Sequence, residues 1–119
     1  MTSKQDASIA AVSAIPDTIR RGDVLYISGF VGVQGEDEPM IEVARRMFTE
    51  FTAAIEAEGF SKADVVSCQL FIADYNDFDD INIAWGECFP ENPPGRTGVC
   101  VGFKTPQVRC EINGIAHRA

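Results

Sequence analysis

The chain has one histidine, no long apolar run and few basic residues, and each scarcity excludes a class of function. No stretch approaches the ~18 consecutive apolar residues that a membrane helix needs, so no membrane span is expected. Met1 to Ala11 hold an early Lys followed by Ala and Ser, without the continuous apolar segment of a secretory leader. The expected location is therefore cytoplasmic. Ten Lys and Arg stand against eighteen Asp and Glu, a net charge of −8. The cations are scattered, as Arg20–Arg21, Arg45–Arg46, Arg96, Lys104, Arg109 and Arg118, with no basic stripe to neutralise phosphates. Nucleic-acid binding is disfavoured on that ground. A local anion site remains open to an acidic protein, provided one Arg is aimed into a cleft.

The four cysteines, Cys68, Cys88, Cys100 and Cys110, form no Cys-x-x-Cys pair, and His117 has no second histidine to join it. A zinc site needs closely spaced ligands, so no metal is expected. In a reducing compartment these cysteines read as small residues of a core or interface, not as a disulfide framework. His117, near the C-terminus, reads as a surface residue.

What is present is an ordinary globular composition. Hydrophobic residues make up 45% of 119, which suits a single domain over residues 1–119. Residues 1–21 read as a polar lead-in, kept from being helical by Pro16 and with room for one extra strand. Gly22-Asp23 turns the chain into Val24-Leu25-Tyr26-Ile27-Ser28, a β-rich run closed by Gly29. Glu36-Asp37-Glu38 and Pro39 mark a helix start, since carboxylates favour the positive end of the helix dipole. Ile41, Ala44, Phe48, Phe51 and Ile55 then recur at spacings of three and four, an apolar stripe on one helix face, and Gly59 ends it. Phe48 and Phe51 belong to that core stripe.

Residues 64–73 are β-type. Asn76-Asp77 can cap a shorter helix over about 78–88, stopped by Pro90, Pro93 and Pro94. Trp85 on this helix reads as core or interface area. Two strands, about 96–103 and 108–117, follow, joined by a tight connection at 104–107. The order β, α, β, α, β, β predicts an α+β fold, a mixed sheet with two helices on one face. Alternation would put Thr97, Val99, Val101 and Phe103 under the helices, and Gly98, Cys100 and Gly102 on the bare face with Ser67, Gln69 and Phe71. Such small, weakly polar residues suit a face covered by another subunit, the competing reading being an undistinguished face open to water.

If 103 pairs with 108 across that hairpin, Arg96 and Gly98 share a face with Glu111 and Asn113, and Cys100 lies opposite Glu111. An Arg fork can hold a carboxylate bidentately, Gly admits a ligand to the backbone N–H, and Glu can place a water or carry a proton. A structural Arg–Glu ion pair accounts for the same residues.

Leu25-Tyr26-Ile27-Ser28-Gly29, Asn76-Asp77-Phe78 with Asn82, Phe89-Pro90, Pro93-Pro94-Gly95-Arg96-Thr97 and Glu111-Ile112-Asn113-Gly114-Ile115-Ala116 occur in order over residues 22–117. This set resembles the reactive intermediate deaminase (Rid/YjgF) family. The resemblance implies a chorismate-mutase-like fold and a homotrimer built round a barrel of three sheets, with ligand clefts between neighbouring subunits. It also implies hydrolysis of enamines and imines such as 2-aminoacrylate and 2-iminopropionate to 2-keto acids and ammonia, with no cofactor. Arg96 would bind the substrate carboxylate. Glu111 would orient or activate water, Ser28 and Asn82 match cleft positions, and Gly98 would bind substrate through its backbone N–H. A non-catalytic trimer that binds a small carboxylate and acts on a partner protein is the alternative. The ribonuclease activity of some relatives is disfavoured by the −8 charge.

Three departures from the family stand out. Ala14-Ile15-Pro16 replaces Gly-Pro-Tyr, so the phenol that lines the cleft is missing. Gly98 stands where a Cys is usual, which loses any thiol role and keeps a backbone N–H. Phe30 replaces a Gln after Ser-Gly, giving a more apolar rim. The carboxylate clamp is kept, and a bulkier or more apolar imino acid, or an aminomuconate-like compound, fits these changes.

Overall fold

A computed structural model describes residues 15–119. The expectation for the first fourteen residues, including Ala14, lies outside that range. The elements are β1 (Thr18–Arg21), β2 (Val24–Val33), α1 (Met40–Ala57), β3 (Val65–Ile72), α2 (Phe78–Cys88), β4 (Gly95–Cys100) and β5 (Val108–His117). They form the expected α+β arrangement, one mixed sheet in the order β1-β2-β5-β3-β4. The lead-in does supply an extra strand, β1, which turns into β2 through Gly22, whose φ of 58° suits a residue without Cβ.

α1 buries Met40, Val43, Ala44, Met47, Phe48, Phe51 and Ile55, a stripe at helical spacing packed on β2 and β5. Ile41 sits at its margin, half-buried. The helix ends in a Schellman arrangement: Gly59, at φ 78°, donates to the Glu56 carbonyl and Phe60 donates to that of Ile55. Phe60 is buried beside the helix end, with the Arg118 guanidinium 4.4 Å from its ring centroid. The expected cap of α2 differs. Asp74 accepts from the Asn76 amide in the turn before the helix, while Asp77 gives its carboxylate to Arg109 instead of to the helix.

The two last strands do not form a hairpin, contrary to the expected pairing of 103 with 108. β5 lies between β2 and β3, antiparallel to both, and β4 runs parallel to β3 at the sheet edge. Composition supplies the reason. Cys110, Ile112, Gly114 and Ala116 of β5 are all buried and need neighbours on both sides, whereas β4 is exposed along its length and contains two glycines. Residues 101–107 therefore span from the edge to the centre of the sheet. β4 is also shorter than expected, ending at Cys100. β2 is longer: Gly29 does not close it but sits in a bulge, where the register jumps between Ile27 and Phe30.

Parallel pairing inverts the expected faces of β4. Arg96, Gly98 and Cys100 are level with Cys68, Leu70 and Ile72, which are buried beneath the helices. Thr97 and Val99 take the bare face, with Ser67, Gln69 and Phe71 as expected of β3. That face is more apolar than the sequence suggested. Ile19, Tyr26, Val31, Val99 and Ile115 leave between 38% and 48% of their surface exposed on it.

Candidate functional site

The βαβ crossover through α2 builds one half of the site. α2 runs antiparallel to β4 above its edge, and its residues at spacings of four and three, Phe78, Asn82 and Trp85, come down on that strand. Phe78 lies over Gly98: a Cβ there would stand 3.2 Å from the Phe78 ring. Asn82 accepts a hydrogen bond from the Arg96 guanidinium through Oδ1 at 2.6 Å. The indole of Trp85 lies under the same guanidinium, 4.9 Å from ring centroid to Cζ. Arg96 is exposed and, among the described residues, makes no ion pair with a carboxylate. It is a cation held from behind with N–H groups to spare.

The backbone adds to this half. Val101 donates to the Ile72 carbonyl, so the amides of Val99 and Thr97 also face β3. Those of Arg96, Gly98 and Cys100 then point to the free edge of the sheet. The Gly98 N–H thus lies on the same edge as the Arg96 side chain, with no Cβ in the way.

The other half is on the bare face. Glu111 stands level with Val31 on one side and Phe71 on the other. It is half-buried, and its carboxylate makes no ion pair and no side-chain hydrogen bond among the described residues. Its Oε2 occupies space left by the bulge, 2.7 Å from the position of a Cβ on Gly29. Next along β5, Asn113 donates to Gln69 Oε1 at 3.2 Å. Ser28 adjoins this group, but its hydroxyl donates to the Pro16 carbonyl at 2.6 Å and its amide to that of Asp17 at 2.9 Å. In this chain Ser28 ties the lead-in to the bulge.

The shared face expected for Arg96, Gly98, Glu111 and Asn113 is not found. Arg96 and Gly98 are on the helix side of an edge strand, Glu111 and Asn113 on the other side of a central strand two positions away. Two strand spacings alone are about 10 Å, more than a three-carbon acid spans. The ion-pair account also fails: the partner of Arg109 is Asp77, at 2.7 Å, and neither Arg96 nor Glu111 takes part in it. Phe30, expected at the rim, packs edge-on against Phe51 beneath α1, at 6.3 Å. Cys100 is exposed on the edge, and His117 is exposed as expected. Trp85, read from the sequence as core or interface, is the neighbour of Arg96 that sequence reasoning missed. Its position three residues after Asn82 on one helix was the available signal.

The family described as Endoribonuclease L-PSP matches residues 5–118. The chain belongs to the Rid/YjgF family. Among curated relatives, a 2-iminobutanoate/2-iminopropanoate deaminase of Dermatophagoides farinae is 32% identical over 102 residues, covering 82% of this chain and 80% of that protein. A RutC family protein of Pyrococcus horikoshii is 29% identical, covering 84% and 83%. The solved structure of RidA from the Antarctic bacterium Psychrobacter superposes with a TM-score of 0.80 at 27% identity, over 88% of this chain and 89% of that one. A Mycobacterium tuberculosis member of the YjgF family gives 0.82 at 22%, over 99% and 98%, a likeness of fold. The Rid/YjgF sheet with its two helices is thus the architecture found here.

Clefts among the described residues lie away from these side chains. One, of about 500 Å³, runs between α1 and α2 beside Phe48, Thr52, Lys62 and Cys88; the other, of about 350 Å³, lies beside Gln34 and Pro106. Among the described residues no group of three or more His, Cys, Asp or Glu is placed to hold a metal, and no helix is long and apolar enough to cross a membrane.

Proposed function

We propose that this Rid/YjgF protein hydrolyses reactive enamine and imine acids, of the 2-aminoacrylate and 2-iminopropionate kind, to 2-keto acids and ammonia. The observation that carries the reading is the uncommitted Arg96 guanidinium, braced by Asn82 and Trp85 at an open strand edge beside the free Gly98 amide. A substrate carboxylate fits there, held bidentately by the fork. The enamine takes a proton at its terminal carbon and becomes the iminium. Water then adds to C2 and loses a proton, and the resulting carbinolamine expels ammonia as its hydroxyl proton passes to solvent, replacing the one the enamine carbon took from solvent, to leave the keto acid. Glu111 takes the proton from the water and returns it to the departing nitrogen. The substrate is already electrophilic, so holding it and placing one water is a sufficient catalytic task.

The separation of Arg96 from Glu111 within one chain supports a site shared by two chains. The apolar bare face supports the same reading, because the exposed parts of Ile19, Tyr26, Val31, Val99 and Ile115 would be buried against another copy. In a chorismate-mutase-like homotrimer, each cleft would take Arg96, Gly98 and Asn82 from one subunit and Glu111 and Ser28 from the next.

The test generates 2-aminoacrylate in place with a β-eliminating enzyme and follows keto-acid release. Acceleration by the wild type, lost in Arg96→Ala, supports the deaminase. Binding of a keto acid with no acceleration would instead make this a non-catalytic small-carboxylate-binding protein. Arg96→Ala and Glu111→Gln chains, each inactive alone, should recover activity on mixing and reassembly, with about a quarter of random interfaces carrying both intact halves. Sedimentation as a stable monomer at micromolar concentration, or no recovery on mixing, would sink the shared site.

A further inference from the structure

We infer that Trp85 is a positioning residue that sets how tightly Arg96 grips a carboxylate, and that its indole reports when the grip is occupied. The inference rests on the carboxylate-binding reading of Arg96. An exposed Arg on an edge strand ordinarily samples many rotamers and loses that freedom when a ligand arrives. Here the loss has already been incurred. Asn82 Oδ1 holds one terminal nitrogen at 2.6 Å, and the guanidinium Cζ sits over the indole ring at 4.9 Å from its centroid. With one ring contact and one nitrogen engaged, the exposed guanidinium keeps further N–H groups for a ligand.

The platform is itself fixed. Trp85 meets the ring of Phe48 from α1 edge-on at 6.0 Å, and the ring of Phe89 at 4.7 Å. Phe48 and Phe89 are both buried. A continuous row therefore runs from the core through Phe48 and Trp85 to Arg96, so the guanidinium inherits the rigidity of the helix pair. Asn82 and Trp85 are one helical turn apart, and that spacing lets one helix supply both the hydrogen bond and the stacking surface. The attraction of a cation for a ring face falls in the order Trp, Tyr, Phe, and it vanishes for an aliphatic side chain. A core-filling role would follow volume and apolarity instead.

Trp85 is the only tryptophan of the chain, which makes the test direct. The full-length protein and its Trp85→Tyr, Trp85→Phe and Trp85→Leu variants are titrated with 2-oxobutanoate by calorimetry, with folding checked by circular dichroism. The dissociation constant should rise about 10-fold for Leu, with Tyr and then Phe recovering most of the loss, as a cation–π contact would give. In the deamination assay the loss should fall on KM more than on kcat. The wild-type indole emission should change on titration with the same midpoint as the heat. If the Leu variant fails to fold, the ranking of wild type, Tyr and Phe still decides the matter. Equal affinity across the folded variants, or variants that differ in melting temperature alone, overturns the inference and leaves the carboxylate site standing. A wild type that binds no 2-oxobutanoate overturns the site, and the inference with it.

Discussion

Glu111 Oε2 lies 2.7 Å from the point where a side chain on Gly29 would begin, with Cδ at 2.9 Å. The bulge in β2 thus seats the candidate water-handling carboxylate by having nothing there. Gly29→Ala should push the carboxylate aside. The obstructing atoms are the far end of a flexible side chain, so the cost in stability should stay below about 1 kcal/mol by denaturant unfolding. Deaminase activity should nevertheless drop by at least about 10-fold, because placement of the base is what is lost. Unchanged turnover in this variant would argue against Glu111 acting from this position.

Arg109 joins the start of β5 to the start of α2, with Asp77 Oδ2 at 2.7 Å and Asp74 Oδ2 at 4.0 Å, and its Nε is buried without a partner. Both Arg109 and Asp77 are mostly shielded from water, so removing one leaves the other charge poorly solvated. Arg109→Met and Asp77→Asn should each cost about 1–3 kcal/mol in urea unfolding. The double variant should cost less than the sum of the two. Additive losses would mean the pair does not act as a unit.

The acid limb of stability should carry a mark of Glu38. The Arg46 guanidinium and the Gly35 amide hold its carboxyl at about 2, down from an ordinary 4.5. A depressed carboxyl stabilises the fold above its unfolded value and loses that contribution as pH falls between about 4.5 and 2. Over that window, melting temperature in Glu38→Gln should fall less steeply than in the wild type. Parallel curves for the two proteins would remove Glu38 from the account.

Thiol chemistry should divide the cysteines. Cys68 and Cys110 are 2% and 0% exposed, and burial pushes both thiols up to about 12. The thiolate is the reactive species, so these two should resist a disulfide reagent at pH 8 until the chain unfolds. Cys88, half-buried and also raised by burial, should react slowly. Rapid labelling of Cys68 or Cys110 in folded protein would mean that the sheet opens beneath its helices.

Much of this fold was legible without coordinates because its signals are local. The α1 stripe from Ala44 to Ile55, the stop at Gly59 and the prolines after α2 each act over a few residues. Arg96 and Glu111 were legible as candidates through motif context. Their arrangement was not. Expecting a hairpin between β4 and β5 was reasonable from proximity in sequence, but it placed both residues on one face. Phe30 was misjudged for a related reason, since a bulge turned it toward Phe51; Trp85 does pack against the core as read, but only the crossover helix placed it under Arg96.

By itself the sequence determined which segments are helix and strand, that one face of the sheet is covered by helices, and which residues carry ionisable chemistry. Alternation along a strand fixes which side chains point together, but it carries no information on which way up the strand is laid. Only the tertiary structure decided that β5 takes the centre and β4 the edge, since that choice depends on non-local competition for buried neighbours. That decision is what set Arg96 and Glu111 on opposite sides of one sheet.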